Sequence, residues 1–174
     1  VLFSCKSSKI INTASPQVIY KLETGACYGK CPIFLLEIDE NGLAYLDAKK
    51  FNKIDGKLKR QLSVEEMEQL EKSYKKANLF SLLDVYPSNV ADLPSIKISQ
   101  LKDGKTKTVK ASDKMPQGYE DLLKVLRNVV EKDGWILLEE YRHEEEIVKS
   151  DDIIIYEEII VSFNETTGLG KFSS

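Results

Sequence analysis

Cys27 and Cys31 form a C-x3-C pair with Gly29 between them. Three chemistries suit such a pair: a structural disulfide, two unpaired thiols with Cys31 in a core, or a redox or metal pair. A bridge needs Cα atoms within about 7 Å. An extended strand would hold these two roughly 13 Å apart. Bridging therefore requires residues 27–31 to turn, which Gly29 permits. So short a loop contributes only about 2 kcal/mol in the chain-entropy account. A redox pair calls for a helix N-terminus to lower the thiol pKa, and here Pro32 leads into the strand-like run "IFLLEI". The single histidine, His143, lies in "YRHEEE" and reads as a solvated imidazole. Zinc would need more His or Cys ligands than the chain offers, and no G-x-S-x-G motif accompanies His143. Asp84, Tyr86 and Asp92 surround a proline-bearing loop. They suit either a polar binding pocket over a sheet edge or turn bonding in which each Asp satisfies nearby backbone N–H groups. The acidic run from Glu139 to Glu146 lacks the ligand spacing of a calcium loop and reads as a solvated linker. These patterns assign no catalytic residue, no metal and no cofactor.

The third cysteine, Cys5, closes the stretch Leu2-Phe3-Ser4-Cys5. That stretch resembles a bacterial lipobox: an aliphatic residue, a variable one, a small one, then the cysteine that becomes the new N-terminus. The resemblance implies that the apolar start is the end of a signal peptide and that Cys5 carries a diacylglycerol and an N-acyl chain. Several chains together anchor stably where one alone binds marginally. "KSSKIINTASPQ" then reads as a polar tether. On this reading Cys27 and Cys31 face an oxidising envelope, where disulfides persist.

The elements that must position these residues are legible in the periodicity. "QVIYKLET" (Gln17 to Thr24) alternates as a strand, and "IFLLEIDE" is apolar on both faces, as a central strand is. Asn41-Gly42 signals a hairpin into "LAYLDAKK", and Asp55-Gly56 a second tight turn into "KLKRQL". Ser63 and Glu66 have the spacing of a capping box. Val64, Met67, Leu70, Tyr74 and Ala77 follow on one helical face. Leu79, Phe80, Leu82 and Leu83 are expected to plug the core from a loop limited by Pro87 and Pro94. "SIKISQL" and "KTKTVKA" flank Asp103-Gly104 as another hairpin. Pro116 marks the start of a second helix with Tyr119, Leu122, Leu123, Leu126, Val129 and Val130 as its stripe, stopped at Gly134. "WILLEEYRHEEEIVKSDD" reads as a strand plus a charged linker, and "IIIYEEIIVSFNE" as strand-like.

The order predicts an α+β fold: an antiparallel sheet of about six strands with two helices packed on one face. The segments divide as 1–16, signal-peptide remnant, lipobox and tether; 17–134, the α+β domain; and 135–174, an acidic linker and the start of a second, truncated module. With 174 residues, 42% hydrophobic and 30% charged, the chain is long enough to bury a core without a metal or staple. The net charge of -3, with Lys and Glu interspersed, excludes a basic stripe for nucleic acid. No apolar run reaches the roughly 20 residues that cross a bilayer.

"GACYGKCPIFLLEIDENGLAYL", followed by "LSVEEMEQLEKSYKKANLFSLLDVYPSNVADLPS", resembles a domain of unknown function common in envelope lipoproteins of Bacteroidetes-type bacteria. The resemblance spans about Val18 to Lys132 and rests on Gly29, Cys31 and Pro32, Asn41 and Gly42, Asp84 and Tyr86, and Asp92 and Pro94. It implies no activity. "YEEIIVSFNETTGLGKF" resembles the first strand and helix start of prodomain-like modules that precede subtilisin-type proteases. The expected function is a binding or interaction module, anchored in the cell envelope through lipidated Cys5 and engaging an envelope protein or peptide. The alternatives are a protease-inhibitor or prodomain-like accessory, and a thiol-redox protein.

Overall fold

The computed structural model of the chain describes residues 15–143. Seven strands form one antiparallel sheet: β1 (Val18–Thr24), β2 (Ile33–Asp39), β3 (Leu43–Lys50), β4 (Gly56–Gln61), β5 (Ile96–Lys102), β6 (Lys105–Ala111) and β7 (Ile136–Glu140). Their spatial order is β6-β5-β1-β2-β3-β4-β7. The expected α+β class holds, with one strand more than the alternation suggested. That strand, β7, follows Trp135 and adds to the far edge beside β4. Its five residues are all exposed, so no in–out alternation marks it.

β1 to β4 form a meander. α1 (Val64–Ala77) then carries the chain to β5, beside β1, and α2 (Gln117–Glu131) returns it from β6 to β7. At 1.5 Å per residue each helix is about 22 Å long and runs across the strands. The two lie antiparallel on one face. Lys132, just after α2, pairs with Glu66 at the start of α1, at 3.1 Å. At the other end Gly118 of α2 meets Ala77 of α1, where an added Cβ would come within 3.1 Å of the Ala77 Cα.

Alternation fixes which sheet face they cover. Leu22, Leu36, Ile38, Ala44, Leu46, Leu58 and Ile98 point inward and are buried. Their neighbours in sequence form a solvated charge ladder on the other face, with Lys21–Glu37 at 2.5 Å and Lys97–Glu23 at 2.9 Å. The stripe of α2 is buried as the periodicity predicts, apart from the half-buried Val130. The capping box of α1 is formed, with the Glu66 N–H donating to Ser63 Oγ and the Ser63 N–H to Glu66 Oε2. No helix among the described residues is long and apolar enough to cross a membrane.

Three local expectations are corrected. Val64 is 71% exposed, because it opens the first turn of α1 before the helix has reached the sheet. Of the four residues expected to plug the core, Leu79 is buried and Leu82 packs against the core, whereas Phe80 and Leu83 are exposed. Residues 79–81 form a 3-10 turn, whose three-residue period puts 79 and 82 on one side. Asp55-Gly56 is not a two-residue turn. The β3–β4 connection spans 51–55, with Phe51 in the left-handed region and the Asn52 N–H held by Asp55 Oδ1 at 2.8 Å. Gly56 already belongs to β4, opposite Ala48. Its lack of a side chain admits β7, since an added Cβ would lie 2.2 Å from the Glu139 carbonyl oxygen.

Candidate functional site

The helices leave one end of the inner sheet face uncovered. α1 packs over the Tyr20 end of β1, where the Tyr20 and Tyr74 rings stack with centroids 4.0 Å apart. α2 lies alongside it, and beyond α2 the strands continue. Thr24, Phe34, Leu46, Leu58 and Ile96 form the floor of a cleft of about 570 Å³ there. Register explains why these residues meet: Thr24 pairs with both Phe34 and Ile96, and Leu46 with Leu58. The outer flank of α2 supplies one wall through Arg127, Val130 and Glu131, spaced i, i+3, i+4. The disulfide turn and the 51–55 loop supply the others, through Cys31 and Pro32 and through Phe51 and Ile54. Pro94, Trp135 and the 132–134 turn complete the rim.

The polar groups at the base of the cleft are already engaged. The Thr24 hydroxyl donates to the Pro32 carbonyl at 2.8 Å and accepts from the Phe34 N–H at 3.1 Å. The Asn52 amide donates to the carbonyls of Ile33 and Lys50 at 3.1 and 3.0 Å. What remains free on the floor is apolar. Exposed apolar side chains flank the cleft, Phe51 and Ile54 within the wall on the β3–β4 side, and Tyr28 in the disulfide turn and Leu93 beside Pro94 on the β5 side. Concave apolar sites with few polar groups bind ligands or anchor side chains, and contiguous exposed apolar surface marks contact with macromolecules.

Trp135 is fixed from behind. Its indole N–H donates to the Val130 carbonyl at 3.1 Å, and the Arg60 guanidinium lies 5.4 Å from its ring centroid. Arg60 is itself buried. It donates to Glu66 at 3.0 Å and to the Val129 carbonyl at 3.0 Å, while its Nε has no hydrogen-bond acceptor among the described residues. Burial pushes the Glu66 carboxyl up, but the Ser63 N–H, Lys132 and Arg60 outweigh it and hold the pKa below the ordinary value.

The sequence-predicted residues fall in different places. Cys27 and Cys31 stand at disulfide distance, with Cα atoms 5.8 Å apart across the turn that Gly29 allows at φ 124°. The turn leads into β2, so no helix N-terminus serves these sulfurs. Cys31 lines the cleft, and the neighbouring Tyr28 N–H donates to the Asp92 carbonyl at 3.0 Å. Asp84 and Tyr86 instead cover the outer edge of β6. The Lys110 N–H donates to the Asp84 carbonyl and the Tyr86 N–H to the Lys110 carbonyl, both at 2.8 Å. The Asp84 carboxylate is paired with Lys107, and the Tyr86 hydroxyl accepts from the Leu83 N–H at 3.3 Å. Asp92 takes the left-handed conformation beside the disulfide turn. None of the three lines the cleft. Cys5 and the prodomain-like stretch from Tyr156 lie outside the described residues. Among the described residues no group of three or more His, Cys, Asp or Glu side chains is placed to hold a metal.

Reading periodicity missed Phe51, Ile54, Arg127 and Trp135 as site residues. The available signals were two large apolar residues in a polar turn and a charged flank beside the stripe of α2. Reduction of the Cys27–Cys31 bridge, or its replacement by serines, is expected to lower the unfolding free energy by about 2 kcal/mol. Urea unfolding with and without reductant measures this; identical midpoints would show that the turn is held without the bridge.

A family model described as Domain of unknown function (DUF6438) matches residues 18–130, and the chain belongs to that family. No curated protein matches it.

Proposed function

We propose that this DUF6438 domain is the binding module of a lipid-anchored cell-envelope protein. Cys5 tethers it, and the cleft beside α2 takes an apolar anchor from an envelope protein or peptide. The observation that carries this reading is the cleft itself: an apolar floor of Phe34, Leu46, Leu58 and Ile96, with Phe51 and Ile54 exposed in one wall and Tyr28 and Leu93 exposed beside the opposite one. A small ligand would be served by the concavity alone. Exposed apolar residues on both sides suit a longer chain. The base is supported by hydrogen bonds that leave it rigid, so little side-chain ordering accompanies binding.

Two measurements test the two halves. A photo-crosslinking side chain at Ile54, in the full-length protein in its native envelope, is expected to give one defined polypeptide adduct. The same group at Lys59, on the opposite sheet face, is expected to give none. Equal adducts at both positions, or none at Ile54, would overturn the cleft assignment. Mass spectrometry of the mature protein is expected to find acyl chains on an N-terminal Cys5; a free thiol with the chain continuing before it would overturn the anchor.

A further inference from the structure

The cleft rim carries two charges that form no ion pair among the described residues. Arg127 and Glu131 face it one helical turn apart on α2, and neither has an ion-pair partner among the described residues. The other rim charges are matched: Lys53 with Asp133 at 3.5 Å and Lys132 with Glu66 at 3.1 Å. Order along the helix explains the difference. An acid four residues before a base is the favourable arrangement, and the reverse is weaker. Glu68–Lys72 and Glu120–Lys124 have the favourable order and are paired, at 3.4 and 3.1 Å. Arg127 and Glu131 have the reverse order and stand apart.

We infer that Arg127 and Glu131 select the occupant of the cleft: an internal polypeptide stretch in which an apolar anchor has an acid on one side, meeting Arg127, and a base on the other, meeting Glu131. The inference rests on the cleft being a peptide site. An internal stretch, not a chain end, fits because exposed apolar residues flank the cleft on two sides, Ile54 by the β3–β4 loop and Leu93 ahead of β5. Complementary rim charges contribute modestly to affinity and strongly to register and partner choice.

The test is an NMR titration of the full chain with short peptides blocked at both ends, read at the Trp135 indole. The probes are Gly-Asp-Phe-Lys-Gly, its reverse-order partner Gly-Lys-Phe-Asp-Gly, and neutral Gly-Ala-Phe-Ala-Gly. One of the two charged peptides is expected to bind about threefold to tenfold more tightly than the neutral one, the range for two exposed ion pairs. In the double variant Arg127→Gln with Glu131→Gln that preference is expected to vanish while the neutral peptide binds as before. If all three peptides bind the unaltered protein alike, the inference fails and the cleft assignment stands. If none moves the Trp135 signal, the cleft is not a peptide site and both fail.

Discussion

Replacing Arg60 by alanine is expected to lower the unfolding free energy by about 3 kcal/mol, the lower end of what removing one partner of a buried ion pair costs. Arg60 and Glu66 are only 8% and 13% exposed at their side chains, so water screens them little. The guanidinium joins β4 to the start of α1 through Glu66 and to the end of α2 through the Val129 carbonyl. Without it that carbonyl loses its donor, and the Glu66 carboxylate keeps only Lys132 and the Ser63 N–H. Those two remaining partners set the estimate at the lower end. Urea unfolding measures it; a loss below about 1 kcal/mol would mean that the pair is replaceable. Trp135, the only tryptophan, adds a second readout, because the same change removes the cation beside its ring and should shift its fluorescence maximum. The pH dependence follows from Glu66. Its pKa is depressed in the folded state, so it contributes stability above the unfolded carboxyl value of about 4.3, and that stability is lost as pH falls through the lower folded value. The variant should therefore show a shallower loss on acidification.

Tyr74→Ala is expected to cost about 3–5 kcal/mol, as for other large aromatic side chains deleted from a core. The ring is 1% exposed and lies flat against Tyr20, with an interplanar angle of 13°, so its loss opens a cavity between α1 and β1. Its hydroxyl donates to the Ser99 carbonyl at 3.3 Å, a long bond, and Tyr74→Phe should lose no more than about 1 kcal/mol. Burial raises the Tyr74 pKa well above the ordinary value. Denaturant midpoints of the two variants separate ring packing from the hydroxyl. Equal losses in both would show that the hydrogen bond, not the stack, holds α1 down. The cleft lies beyond α2, away from Tyr74. Tyr74→Ala should therefore leave the Trp135 emission of the folded protein unchanged while Arg60→Ala moves it.

The contrast between Tyr74 and Arg60 marks how far sequence alone reaches. Tyr74 lies on a stripe with Leu70 and Ala77, so helical period and burial agree. The inward residues of β1 to β3 alternate, and Asp103-Gly104 takes the left-handed conformations that its hairpin requires. These features are local: a period, a cap or a turn is decided by residues within a few positions of one another. They determined the α+β class and most of the helical faces, and they permitted, without deciding, the turn that brings Cys27 to Cys31. Arg60 shares the inward parity of Leu58 in β4, but the groups that satisfy a cation there, Glu66, Val129 and Trp135, converge on it from distant parts of the chain. The run after Trp135 reads as a strand, but its place in the sheet was decided by the free edge of β4 and by Gly56, which admits its backbone. The cleft belongs to the same class. Its floor comes from five strands, and its walls from one helix flank and two loops. Only the placement of two antiparallel helices toward one end of the sheet leaves that floor uncovered, and no local pattern encodes where a helix stops covering a sheet.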